Sequence, residues 1–451
     1  STLFPYTTLF RSRDGAINYY GSAQNITIGA TFIGNTANKH GPAIAFDNST
    51  KTFNDIKFIN SVFKDHSTVN GTVFFIKNPE KLTVINTTFE NNNVTGTKSG
   101  AAFFFPSIDV LNVTDSNFTK NNAPNGGVFY VTASNGAKLY FSNDNFIKNS
   151  AKNGAGGALY FVSGNYDLEI TGSNFTDNHA NNNGGAIAII GSSGSTAFTI
   201  NESNFNGNDG IYGGAFYTNS ATGTINDSRF TDNRATQYGG AIDWDTSAEF
   251  NANNITCINN TANTAGAISL RSTPSNAVIN KSTFTGNKAT ANVAGAVYVH
   301  AGSNAVMFDE CDFTSNTANV NGGALYLDSG NTIIANTNFT TNKANSNGGA
   351  ICSNSNANTF TVNQSMFKEN SADNLGGAVY TTVGNSNIDG SEFIDNVAGS
   401  NGNAIYTSSA GSNDIANSKF DGENHIYVDG VNAKFTNNTE INDKNSLFSI
   451  Y

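Results

Sequence analysis

The feature that most constrains this chain is a motif, Phe-x-x-Asn, that returns along almost its whole length. Its first position is filled by Phe32, Phe63, Phe89, Phe118, Phe146, Phe175, Phe205, Phe230, Cys257, Phe284, Phe313, Phe339, Phe367, Phe393 and Phe420, fifteen anchors with a period of about 28 residues. The asparagine follows three places on, as at Asn121, Asn149, Asn178, Asn287 and Asn316. About ten residues after many of the anchors comes Gly-Gly-Ala and a large apolar residue, as in Gly184-Gly185-Ala186-Ile187 and Gly322-Gly323-Ala324-Leu325. A fixed period of this size means one supersecondary unit per repeat, and such a unit buries its apolar face only against copies of itself.

Each repeat holds two runs with strict alternation, the signature of strands. After Gly-Gly-Ala the inward places are Ile187 and Ile189, or Leu325 and Leu327. Before each anchor they are Leu168, Ile170 and Ser173, or Phe198, Ile200 and Ser203. A third, shorter stretch lies between the asparagine and the glycine pair. No segment carries a sustained 3.6-residue stripe, so helices are not expected. The spacing predicts an all-β chain: a parallel β-helix (solenoid) of about fifteen coils. Stacked coils put Phe on Phe at about 4.8 Å. The motif asparagines then bond the same amide in the next coil, and the glycine pair supplies a corner with φ > 0.

Composition narrows the function classes. The formal charge is −11, charged residues are 13% and no basic cluster appears, which argues against nucleic-acid partners. No apolar run is long enough for a membrane-spanning helix. The three cysteines form no CxxC pair, the five histidines are scattered, and no metal or cofactor is expected. Cys257 and Cys311 read as inward, Cys352 as outward, and the single Trp244 as core. Residues 1–12 match the translation of a sequencing-library adapter and are read as an artefact. Residues 13–31 read as an incomplete first coil, 32–424 as the repeats, and 425–451 as an irregular, truncated final coil with a second anchor at Phe435. The chain is therefore expected to be a piece of a larger protein.

Phe-x-x-Asn together with Gly-Gly-Ala-(Ile/Leu/Val), repeated from Phe32 to Phe420, resembles the repeat of chlamydial polymorphic outer-membrane proteins. It is equally similar to that of adhesin-like surface proteins of methanogenic archaea. The resemblance implies a right-handed β-helix, export to the cell surface and a part in adhesion through a surface receptor or glycan. Departures occur where Phe63-Lys64-Asp65-His66 lacks the asparagine and Gly100-Ala101-Ala102 replaces the glycine pair. No outer-membrane barrel, anchor or membrane-inserting segment is recognisable in this stretch.

Outward places in successive coils form columns. Two residues after the Gly-Gly-Ala alanine the column reads Tyr130, Tyr160, Tyr217, Tyr298, Tyr326, Tyr380 and Tyr406, interrupted by Ala188, Asp243, Ser269 and Cys352. An exposed aromatic column is suited to stacking on sugar rings. High β-propensity of tyrosine on a half-buried face explains the same residues without a ligand. Two places further on come Asp245, Arg271, His300 and Asp328, with Asp243 alongside. Polysaccharide lyases and glycoside hydrolases built on β-helices use such groups, as Ca²⁺ ligands or an acid/base pair. Ordinary ion pairing up a sheet face needs no catalysis. Coils of nearly constant length leave no long insertion to wall a substrate groove. A non-enzymatic, adhesin-like surface solenoid is thus the expected function, and a polysaccharide lyase or hydrolase the alternative.

Overall fold

A computed structural model describes residues 16–19, 25–38, 41–46, 53–69, 71–77, 79–96, 102–132, 135–191, 196–354, 356–383, 385–408, 411–429, 432–441 and 448–450. The expectation for residues 1–12 falls outside them. The described residues contain strands, turns and bends and no helix. The chain divides into two compact units, Ser1–Gly223 and Thr224–Tyr451.

In the first unit one coil runs through strands Asn165–Thr171, Asn174–Thr176, His179–Ala180 and Ile187–Ile190. Each strand pairs in parallel with its counterpart in the next coil, with Phe146 opposite Phe175 and Phe175 opposite Phe205. The second unit repeats the plan, with Thr283–Thr285 and Lys288–Ala289 followed by Val297–Asp309. There Cys257 takes a phenylalanine place, between Phe230 and Phe284. Among the described residues the short strands number fourteen, one fewer than the anchors. Phe420 leads directly to Ile426–Val428, which pairs with Ile405–Thr407, so the short strand is missing from this coil. Phe435 is no anchor. It pairs with Ile415 in the run before the anchor, and Glu440 stands opposite Phe420.

The core is a set of columns. Rings of successive anchors lie parallel, as for Phe146 and Phe175 at 4.7 Å or Phe339 and Phe367 at 4.9 Å. These separations follow from the spacing of hydrogen-bonded strands. Each such ring is buried, which stabilises by about 1.5–3 kcal/mol. The motif asparagines form the expected ladder. Asn287 donates from its backbone N and from Nδ2 to Asn316 Oδ1, both at 3.0 Å. Its Nδ2 also donates to the Cys257 carbonyl at 2.9 Å. Buried amides left without such partners would cost about 1–3 kcal/mol each.

Both corners flanking the anchor strand are left-handed, a device the repeat spacing alone did not reveal. Asp227 and Asp232 flank Phe230 with φ of 49° and 54°, and Asn336 and Thr341 flank Phe339 with 48° and 55°. The glycine pair makes the next corner. Gly322 has φ 68°, and a Cβ on Gly323 would lie 2.0 Å from the Gly349 carbonyl oxygen. The first glycine permits the turn and the second permits contact between coils.

Candidate functional site

The tyrosine column exists, but the glycine corner partly covers it. A Cβ built on Gly156 would lie 2.9 Å from the Tyr160 Cβ, so the turn folds back over the outer side of its own strand. Tyr160, Tyr298, Tyr326 and Tyr380 are half-buried. Tyr217 and Tyr406 are only 4% and 7% exposed, which corrects the expectation that they are free for stacking. Tyr217 packs near Tyr212, with ring centroids 6.4 Å apart. The Tyr406 hydroxyl donates to Asp429 Oδ2 at 2.9 Å. Neighbouring rings do stack: Tyr130 on Tyr160 at 5.0 Å, Tyr298 on Tyr326 at 6.0 Å, and Tyr380 on Tyr406 at 5.3 Å. Burial pushes the Tyr160, Tyr326 and Tyr406 hydroxyls up to about 12, so they stay protonated donors at neutral pH.

The charged residues meet in the second unit as two separate groups. Arg271 Nε lies 3.1 and 3.0 Å from the two Asp243 carboxylate oxygens, and Nη2 lies 2.7 Å from Asp245 Oδ2. The guanidinium also sits over the Tyr238 ring, 5.3 Å from its centroid. Ser272 Oγ donates to Asp245 Oδ1. Asp243 is fully buried, and burial pushes its carboxyl up to about 7 against the pull of Arg271. Arg271 is therefore occupied on two sides by carboxylates and on a third by an aromatic face.

The second group centres on Asp328. His300 Nδ1 lies 2.7 Å from Asp328 Oδ2, which also accepts from the Tyr298 hydroxyl at 3.3 Å. Asn354 Nδ2 donates to Asp328 Oδ1 at 3.1 Å and to the Tyr326 hydroxyl oxygen at 3.2 Å. Ser329 Oγ lies 3.2 Å from the same His300 Nδ1. Ser, His and Asp thus come together without forming a relay, because a nucleophile-activating histidine meets its acid and its hydroxyl on opposite ring nitrogens. The strand register shifts here, so His300 pairs with Ser329 rather than with Asp328. Among the described residues no three His, Cys, Asp or Glu side chains are grouped to hold a metal ion.

Trp244 is buried, and its Nε1 donates to the Ala248 carbonyl at 3.1 Å. Cys257 and Cys311 are buried as expected. Cys352, expected to face outward, is also buried, at 2% exposure, in the tyrosine column between Tyr326 and Tyr380. Sequence reasoning missed Tyr238, Asn354 and Asp429, which supply the partners just described. Tyr238 stands immediately before Gly239-Gly240, so its place beside the corner was the available signal.

Comparison with known proteins bears on this geometry. Residues 310–328 and 364–382 match the Chlamydia polymorphic membrane protein (Chlamydia_PMP) repeat. Both segments begin just before an anchor phenylalanine and extend through the glycine pair to the strand after it, so each match covers part of one structural coil. No curated protein matches the chain.

Proposed function

Because the chain carries the polymorphic membrane protein repeat, we propose that it is a non-enzymatic, adhesin-like solenoid displayed at a cell surface after export. Its ligand is a glycan, held on the half-exposed tyrosines of the second unit. The observation that carries this reading is the shelf made by Tyr298 and Tyr326, stacked with 7° between their planes. Asp328 and Asn354 hold their hydroxyls from the side. Two half-exposed aromatic rings with a polar rim are suited to a sugar ring, whose C–H groups pack against the ring edges while its hydroxyls reach the rim. Engagement of Arg271 by both aspartates weighs against the lyase or hydrolase alternative. The test is a panel of immobilised glycans probed with the purified chain. Binding that falls at least tenfold in Tyr298→Ala/Tyr326→Ala supports the reading, and absence of binding to every glycan refutes it. Release of reducing or unsaturated ends from a polysaccharide, abolished by Asp245→Ala, would establish the enzymatic alternative instead.

A further inference from the structure

In the second unit the outward column of the short strands carries regularly spaced cations. Register pairing places Arg234, Thr261, Lys288, Thr317, Lys343 and Ser371 one above the next. A cation thus recurs at every second coil, at an interval of about 9.6 Å, with a hydroxyl residue between. The corresponding column of the first unit reads Thr36, Ser67, Asn93, Asn122, Ser150, His179 and Asp209, with no Lys or Arg among these described residues. A groove of about 320 Å³ opens along this face between Lys288 and Lys343. Thr317, Asn319, Asn345 and the buried Ala318 line it between the two lysines. No carboxylate lines it. Among the described residues Lys288 has no ion pair and the Thr317 hydroxyl no hydrogen-bond partner. Lys343 pairs with Asp373 at 3.3 Å, but both side chains are about half exposed, and such a pair is easily exchanged for another anion.

We propose that this groove binds an acidic polysaccharide with one carboxylate per disaccharide. Widely spaced cations select widely spaced anions, and hydroxyl and amide groups between them suit sugar hydroxyls. Nucleic acid fits poorly. Its phosphates follow at about 3.4 Å along each strand, and a chain of charge −11 repels so dense a polyanion. The proposal uses a different face from the tyrosine shelf and does not rest on it.

The probes are a size-defined hyaluronate oligosaccharide, neutral dextran and a single-stranded DNA oligonucleotide, titrated calorimetrically against the full chain at low and at physiological salt. The variant is Lys288→Thr/Lys343→Thr, which installs the residue that Thr261 and Thr317 already place in this column. A control, Lys368→Thr/Lys419→Thr, removes two cations from the anchor-strand face. The expected result is hyaluronate binding that weakens with salt, falls at least tenfold in the column variant and is unchanged in the control. Dextran should not bind. Absence of hyaluronate binding, equal loss in variant and control, or tighter binding of DNA would each overturn the proposal. Thermal unfolding at the wild-type temperature shows that the column variant is folded, and the Tyr298→Ala/Tyr326→Ala variant should retain hyaluronate binding.

Discussion

The two units share one repeat but differ in what interrupts their polar columns. In the second unit the asparagine ladder runs unbroken from Asn233 through Asn260, Asn287, Asn316, Asn342, Asn370 and Asn396 to Asn424. In the first, His66 stands between Asn35 and Asn92. It imitates the amide: Nδ1 accepts from the Asn35 backbone N at 3.1 Å and lies 3.3 Å from Asn35 Nδ2. The serine column before the anchor differs likewise. The second unit replaces serine by Ile255 and Cys311, whereas the first places the buried Asp144 there. Asp144 accepts from the Ser116 backbone N at 2.8 Å and from the Ser142 backbone N at 3.1 Å. In these two columns the titratable departures, His66 and Asp144, thus fall in the first unit, and the apolar or thiol departures, Ile255 and Cys311, in the second. A solenoid tolerates any side chain that fills the column's hydrogen-bond pattern, but the substitute brings its own chemistry.

The phenylalanine columns should not distinguish the units. Phe175→Ala and Phe339→Ala each remove a ring stacked on both sides. Each should cost about 3–5 kcal/mol, read from urea unfolding and from amide exchange in its own coil. Phe284 has a ring on one side only, Phe313, with Cys257 on the other. Phe284→Ala should therefore cost less. Equal losses at all three positions would show that stacking between coils adds nothing to burial.

The pH response should separate the units. Burial lowers His66 to about 4 from an ordinary 6.5, so the folded ring stays neutral while the unfolded one takes a proton. Its contribution is complete above pH 6.5 and is lost as pH falls toward 4, by roughly 3 kcal/mol. Asp144 has the opposite sign. Burial pushes it up to about 8, so its contribution is complete below pH 4 and declines as pH rises toward 8. His66→Asn should abolish the acid loss in the first unit, and Asp144→Ser the loss on the neutral side. Amide exchange of coils around Asn370, away from Asp243, should show neither transition. Identical acid profiles for wild type and His66→Asn would refute this account.

Asn287→Ala tests the unbroken ladder. It takes an acceptor from Asn260, whose backbone N and Nδ2 both donate to Asn287 Oδ1 at 3.0 Å, and a donor from the Cys257 carbonyl. A loss of about 1–3 kcal/mol is expected, with faster amide exchange in the coils on either side. A loss below 0.5 kcal/mol, on the order of a surface substitution, would mean that the ladder is ornamental.

The core was legible because alternation and period report which side chains face inward, and stacking makes each inward place a column. Ile187, Ile189, Leu168 and Ser173 could be placed inside from their spacing alone. Outer places were less legible, because local alternation does not say what lies over them. Ala188 and Cys352 read outward yet are buried, since the glycine corner turns back across that face. The pairing of His300 with Ser329 was hidden for another reason. The irregularity after Val299 shifts the register, and nothing in the motif spacing marks it. The left-handed corners carried a signal that went unused: Asp and Asn recur two places after the anchor, as at Asp65, Asn91, Asp177 and Asp232.

The smallest expected effect lies at the glycine corner, where the second unit twice places alanine in the left-handed position. In the first unit the described corners are all glycine: Gly41, Gly126, Gly156, Gly184 and Gly213 have φ between 52° and 66°, and Gly71 has 114°. In the second, Ala265 and Ala294 adopt φ of 58° and 65° in the same place, among Gly239, Gly322, Gly348, Gly376 and Gly402. A left-handed L-residue costs about 1–2 kcal/mol. Both alanines are fully buried, so their methyl groups are packed against their surroundings. Replacement by glycine removes that strain but adds about 0.5–1 kcal/mol of chain entropy to the unfolded state. The net change for Ala265→Gly or Ala294→Gly should be a stabilisation of about 0.5 kcal/mol, seen as a small rise in the urea midpoint at constant slope. The reverse substitution in the first unit, Gly184→Ala, should destabilise, because its Cβ would lie 2.1 Å from the Ile187 carbonyl oxygen. If glycine at 265 and 294 lowered the midpoint instead, the buried methyl groups would outweigh the strain, and the two units would have reached different packing optima at the same corner.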